Sequence, residues 1–227
     1  MTRVDIKEKV LNENERLAQR LREKIIDNSV YCPNFISSPG AGKTSLLEET
    51  LAKFPKDTRV AVLTGDIQTD NDAMRLARYG FPVRQITTGG SCHLDARMIE
   101  KALDGWAVET LDYLLIENVG NLVCPSSYDL GEHDKIVILS VTEGEDKPLK
   151  YPGTFSRAGL VILNKIDLLP YVKFNIEQAK ENIRKVNPGV EILEISCTTG
   201  AGMSEWISWL EAKRASCSSS MATVASI

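Results

Sequence analysis

The stretch that decides the fold is Ser37-Ser38-Pro39-Gly40-Ala41-Gly42-Lys43-Thr44. An apolar run precedes it at residues 31–36, and a helix-forming run follows at residues 45–53. Strand, loop and helix in that order are the setting in which a phosphate-binding loop works. Small residues let the backbone wrap an anion, so that successive N–H groups point inward. The helix N-terminus adds partial positive charge. In such a loop Pro39, Gly40, Ala41, Gly42, Lys43, Thr44 and Ser45 surround the phosphates. Lys43 reaches the β and γ phosphates, and the Thr44 hydroxyl ligates Mg²⁺. One position departs from the usual pattern, because Ser37 stands where glycine is common. The cradle survives that replacement provided Ser37 avoids positive φ.

Beyond the loop the chain alternates. Apolar runs at 59–64, 83–87, 112–119, 135–141, 159–164 and 190–196 read as strands. Helical patterns fall at 71–79, 94–103, 174–186 and 204–214, the first closed by Gly80. Strands apolar on both faces and separated by helices predict an α/β fold of three layers. This is the P-loop NTPase architecture, a mostly parallel sheet covered by helices on both faces. Ligands then gather at the carboxyl ends of the strands. Ahead of this body, residues 2–26 form a charged helix candidate with Val4, Leu11, Ala18, Leu21 and Ile25 on one face. It reads as a helix packed on the sheet. The expected division is an N-terminal helix at 1–28, the nucleotide-binding domain at 29–214, and a Ser-rich, disordered tail at 215–227.

Strand ends carry the remaining nucleotide chemistry. Asn164-Lys165-Ile166-Asp167 follows the strand at 159–164. The Asp167 carboxylate can accept guanine N1–H and N2–H together, a pair that adenine does not offer, and Lys165 can cover the base or brace the loop. Ser196 and Cys197 end the last strand, where a backbone N–H meets the guanine oxygen. The ligand is therefore GTP. Asp66 and Glu117 end two further strands and compete to hold Mg²⁺, which keeps waters and takes one or two carboxylates. Asp66 is also placed to orient an attacking water. Lys43, Asp66 and Glu117 are the catalytic candidates. Gly120 resembles the glycine whose N–H meets a γ-phosphate, and Lys147, after another strand end, reads as a phosphate or partner contact or as a plain surface lysine.

The chain has two histidines and five cysteines. Cys92-His93 lies at a helix start and Cys124 lies just past Glu117, at the outer ends of two segments that a nucleotide could order. Thiolate and imidazole suit Zn²⁺ and bind Ni²⁺. Spacing alone leaves this open, because no CxxC is present and a lone Cys-His pair is commonly structural. Three ligands also leave a site incomplete, to be filled by water or by a second copy. Cys32 reads as core, Cys217 as a tail thiol and His133 as a surface or satisfied histidine rather than a ligand.

A formal charge of −4 argues against a nucleic-acid surface. No apolar run reaches the length of a membrane span and the N-terminus is charged, so the expected location is the cytoplasm, with no membrane partner. An odd cysteine count fits reduced thiols or metal ligands rather than a disulfide framework.

With these residues in view the chain resembles the HypB family, GTPase accessory proteins for nickel insertion into [NiFe] hydrogenase. The likeness runs from about residue 30 to 210 and rests on SSPGAGKT, TGDIQTDNDA, TTGGSCHLDA, IENVGNLVCP, EGEDKPLKYP and NKIDLL. The urease GTPases of the UreG type are similar in the phosphate loop but carry a Cys-Pro-His motif that is absent here. The resemblance implies a GTP-dependent homodimer, slow GTP hydrolysis, and Ni²⁺ or Zn²⁺ held by Cys92, His93 and Cys124 near the dimer interface. It also implies partners, namely the nickel chaperone HypA and the hydrogenase large subunit. Arg97 stands where many relatives have histidine, which removes the ligand that a second metal there would use. The Cys-rich or His-rich nickel-holding segments of some relatives are also missing, so delivery or gating is expected rather than storage. Two other functions remain: a urease-type insertion GTPase, and a metal carrier that uses GTP mainly to dimerise.

Overall fold

Val30 to Ile36 is an almost unbroken buried run, and the chain uses it as the centre of a sheet. The computed structural model describes residues 6–68 and 70–224, with side chains described from 13 to 68 and from 70 to 218. Seven strands form one sheet in the order β3-β2-β4-β1-β5-β6-β7, and every pairing is parallel. They are β1 Pro33–Ser37, β2 Val60–Asp66, β3 Val83–Thr87, β4 Tyr113–Glu117, β5 Asp134–Ser140, β6 Ala158–Asn164 and β7 Glu191–Ile195. Strands β1 and β4 are buried at every residue, whereas the edge strands β3 and β7 are only partly covered. That gradient is what a parallel sheet with both faces covered requires. The strand order reverses at β1, so the loop after it opens into the crevice at the switch point.

The helices are α1 Ile6–Asp27, α2 Lys43–Lys53, α3 Asn71–Ala77, α4 Ala96–Ala102, the short α5 Lys147–Lys150 and α6 Pro152–Phe155, α7 Ile176–Val186 and α8 Met203–Val224. On one face, α2 and α8 bury Leu46, Leu47, Leu51, Trp206 and Leu210 against Phe35, Leu115 and Ile138. Trp206 is fully buried, and its indole N–H donates to Thr50 Oγ1 at 2.8 Å. The satisfied donor lets the large ring stay in the core. On the other face, α1 and α4 meet over Leu17, Ala18, Leu21, Ile25, Ile99 and Ala102, and α7 adds Ala179 and Ile183. The α1 helix is thus part of this core, as a helix packed on the body. Residues 2–5 of the expected helix lie outside the described residues.

One expectation fails. A disordered tail was expected from residue 215, but α8 continues to Val224. No glycine or proline interrupts it. Lys213 pairs with Asp134 at 3.0 Å, Arg214 pairs with Asp112 at 3.0 Å, and Cys217 packs against the core instead of being a free tail thiol. Tertiary contacts override the weak helix propensity of the serines there. Among the described residues no helix is long and apolar enough to cross a membrane.

Candidate nucleotide and metal sites

The loop 37–42 joins β1 to α2, and its geometry follows from its glycines. Gly40 and Gly42 have φ of 73° and 100°, values that an L side chain rarely adopts. A Cβ on Gly42 would also run into the Asn164 amide. Ser37 is not among the residues of positive φ, which removes the one objection to the loop. It has a role of its own, because Lys43 Nζ donates to Ser37 Oγ at 3.0 Å. Lys43 and Thr44 open α2 and are buried with it, so charge and hydroxyl sit at a helix N-terminus. Burial lowers the Lys43 pKa, against the opposing pull of Glu117.

The loop walls a cleft of about 490 Å³. Pro39, Gly40, Gly42, Lys43, Thr44, Ser45, Asp66, Glu117, Gly120 and Lys165 all line it. Gly120 comes so close that a Cβ there would lie 3.2 Å from Pro39 Cα. Asp66 turns back on its own loop and accepts from the Gln68 N–H at 2.8 Å. Glu117 is 3% exposed, and Thr44 Oγ1 donates to its Oε1 at 2.7 Å. Its other oxygen is buried with no hydrogen-bond partner among the described residues. Burial pushes the Glu117 pKa up to about 7. A buried carboxylate oxygen lacking a donor, beside a hydroxyl and facing a phosphate-sized cleft, suits a hard divalent cation. Thr44 and Glu117 therefore fit Mg²⁺, with Asp66 at the same cleft.

Among the lining residues that went unread in the sequence, two are charged. Arg75 on α3 pairs with Glu48 at 2.5 Å and with Asp72 at 3.3 Å, and both Arg75 and Asp72 face the cleft. Their i, i+3 spacing on the helix after Asp66 was the available signal.

The residues expected to read guanine form a second group braced to the first. Asn164 Nδ2 donates to the Ala41 carbonyl at 2.9 Å, and Lys165 Nζ donates to the Gly40 carbonyl at 2.6 Å. Lys165 adopts φ 64°, which aims its side chain across the loop. Asp167 Oδ1 accepts from Ser196 Oγ at 2.6 Å, and Cys197 Sγ lies 3.8 Å from Asn164 Oδ1. Burial raises the Cys197 thiol to about 11, so it stays protonated. Lys147 Nζ donates to Ser38 Oγ at 2.9 Å while paired with Glu143 at 2.7 Å. It therefore touches the phosphate loop rather than solvent alone.

Cys92, His93 and Cys124 are brought together although 32 residues separate the two thiols. Their ligand atoms all lie within 4.8 Å of one another, with the two sulfurs 2.7 Å apart and Cys92 Sγ 3.8 Å from His93 Nδ1. Cys92 and His93 lie in the loop before α4, which starts after them with Asp95 capping the Met98 N–H at 2.8 Å. Cys124 opens a 3₁₀ turn, Cys124–Ser127. The His93 ring stacks on Tyr128 at 3.7 Å, which fixes its plane. Burial lowers the His93 pKa, which favours the neutral, ligating form, and the neighbouring Cys92 raises the Cys124 pKa. Two adjacent thiols beside a neutral imidazole form a donor set for a soft or borderline cation. The spacing of these residues left this cluster open. His133, by contrast, accepts from the Cys32 N–H at 3.2 Å and is satisfied.

Fold and cleft together define a P-loop NTPase carrying a Cys-His-Cys cluster. The CobW/HypB/UreG nucleotide-binding domain matches residues 34–194. Hydrogenase maturation factor HypB of Escherichia coli K12 is 51% identical over 205 residues, covering 90% of this chain and 71% of that protein. A crystal structure of HypB from Helicobacter pylori in complex with nickel superposes with a TM-score of 0.84 at 43% identity, covering 90% of this chain and 96% of that one. HypB from Archaeoglobus fulgidus gives 0.84 at 38% identity, over 89% of this chain and 99% of that one. The chain belongs to the CobW/HypB/UreG family, on its HypB branch.

Proposed function

We propose that this chain is a metal-binding GTPase that hydrolyses GTP to regulate nickel delivery during [NiFe] hydrogenase maturation. The observation that carries the reading is the Cys92/His93/Cys124 cluster, in which Cys124 lies four residues past Gly120 of the cleft lining. The names of the relatives support it, since one is a hydrogenase maturation factor and another was crystallised with nickel. A carboxylate placed for guanine, Asp167, and two lysines braced on the loop support GTP over ATP.

Loop N–H groups and Lys43 hold the phosphates in place, so catalysis rests on positioning and charge stabilisation. Lys43 leaves Ser37 to meet the γ-phosphate. Thr44 and Glu117, with Asp66 nearby, would hold Mg²⁺, which would supply charge neutralisation at the phosphates. Asp66 orients the attacking water, and hydrolysis is slow. Residues 66–68 and 117–120 order on the γ-phosphate and relax on hydrolysis. Cys124 lies on the segment that continues from 117–120, and the loop of Cys92 and His93 packs against it, so Ni²⁺ or Zn²⁺ affinity follows the nucleotide. GTP also assembles two copies into a homodimer in the cytoplasm, with accessory proteins such as the nickel chaperone HypA and the hydrogenase large subunit as partners.

The test compares GTP and ATP turnover by the purified protein with nickel transfer to an acceptor. GTP turnover and hydrolysis-dependent transfer are expected, both lost in Lys43→Ala. Full transfer with a non-hydrolysable GTP analogue would show a carrier that uses GTP only to assemble.

A further inference from the structure

A buried junction runs from the wall of the cleft, where Gly65 and Asn118 line it, to the loop that carries His93. Asn118 follows Glu117 at the end of β4 and is 1% exposed. Its carboxamide oxygen accepts from the Val119 N–H at 3.0 Å and from the Leu94 N–H at 3.3 Å. Its nitrogen donates to Asn34 Oδ1 at 3.1 Å, and Asn34 donates to Glu132 at 3.2 Å. Glu132 in turn accepts from the Leu130 N–H at 2.6 Å and pairs with Lys135. Asn34, Asn118 and Glu132 are all buried.

Leu94 is the residue next to His93, and its side chain is fully buried. It sits on Gly65, where an added Cβ would lie 2.8 Å from the leucine. Gly65 in turn precedes Asp66. Leu94 thus touches both carboxylate-bearing strand ends, by a hydrogen bond on the Glu117 side and by packing on the Asp66 side. A buried amide left unpaired in a dry place is costly, and close packing does not deform smoothly. These segments therefore move together.

We infer that Asn118 and Leu94 are positioning residues that couple the nucleotide cleft to the metal cluster. Displacement of residues 117–120 on the γ-phosphate moves the Asn118 carboxamide, and with it the Leu94 N–H. His93 and Cys92, one and two residues before Leu94, then shift relative to Cys124. The inference rests on the gating reading above and names the contacts that carry it.

The experiment measures Ni²⁺ affinity with GDP and with a non-hydrolysable GTP analogue, in wild type, Asn118→Ala and Leu94→Val. Amide exchange at Leu94 is followed in the metal-free protein. Wild type should show a ratio between the two states of about 5- to 150-fold, the usual span of coupled sites. Its Leu94 amide protection should change with nucleotide. In Asn118→Ala the ratio collapses towards one and that protection is lost in both states; Asn118 lines the cleft, so GTP affinity is measured alongside and the Ni²⁺ ratio at saturating nucleotide is the readout. Leu94→Val, a loss of one methylene, lowers the ratio and decides the matter if Asn118→Ala does not fold. A purely architectural role would weaken both ligands and leave the ratio unchanged, which would refute the link. A wild-type ratio of one would instead overturn gating itself.

Discussion

Glu117→Gln should stabilise the nucleotide-free protein at pH 8 and flatten its stability profile. The carboxyl is 3% exposed, and its pKa rises from 4.5 to about 7 because burial disfavours the charge. Lys43 and the Thr44 hydroxyl oppose that rise without cancelling it. The folded-state pKa is raised, so the folded protein binds the proton more tightly than the unfolded chain. The contribution is fully present below pH 4.5 and is lost as pH rises through 7. The interval corresponds to about 3 kcal/mol, at roughly 1.4 kcal/mol per pH unit. Glutamine keeps an acceptor for Thr44 and carries no charge, so the variant should lack the loss. Urea unfolding without nucleotide and with a chelator, at pH 5 and pH 8, reads the difference as a midpoint change at constant slope. The two proteins should nearly coincide at pH 5 and separate at pH 8. Parallel pH profiles would refute the burial argument. Adding GTP and Mg²⁺ should reverse the order, because the cation then compensates the charge that glutamine lacks.

Other outcomes follow from single contacts. Gly42→Ala should abolish nucleotide binding, since its φ of 100° and the Asn164 amide leave no place for a Cβ; calorimetric titration with GTP checks it. Asp167→Asn removes the paired acceptor and should weaken GTP by about 100-fold or more, with little change in phosphate-loop contacts; competition against guanine and xanthine nucleotides reads it. Cys92→Ser and Cys124→Ser should each lose tight Ni²⁺ binding and keep GTP affinity, because the cluster lies outside the cleft lining. Full metal binding by either variant would remove that residue from the site.

Much of the fold was legible because buried parallel strands are near-continuous apolar runs, and six of the seven were bounded by turns or helical patterns. The phosphate loop, Asp66, Glu117 and the residues 164–167 were legible because each closes a strand. Three kinds of feature were not. The turns at Lys147–Lys150 and Pro152–Phe155 are too short for periodicity to register. The end of α8 beyond Arg214 is Ser-rich and unpatterned, so periodicity gives no sign of it. Asn118 pairs with Asn34 at a separation of 84 residues and with Leu94 at 24, and a polar residue gives no sign in sequence of distant partners. The metal cluster stands between these cases. Its residue types were visible, but the closure of 32 residues that joins Cys92 to Cys124 was not.

The most direct test of nucleotide-gated metal binding is the Ni²⁺ dissociation constant of the wild-type protein in its GDP and GTP-analogue states, with oligomer size followed in parallel. Gating predicts two different constants, a dimer in the analogue state, and a reciprocal change of GTP affinity by the same factor when Ni²⁺ is bound. Equal constants in the two states would contradict it.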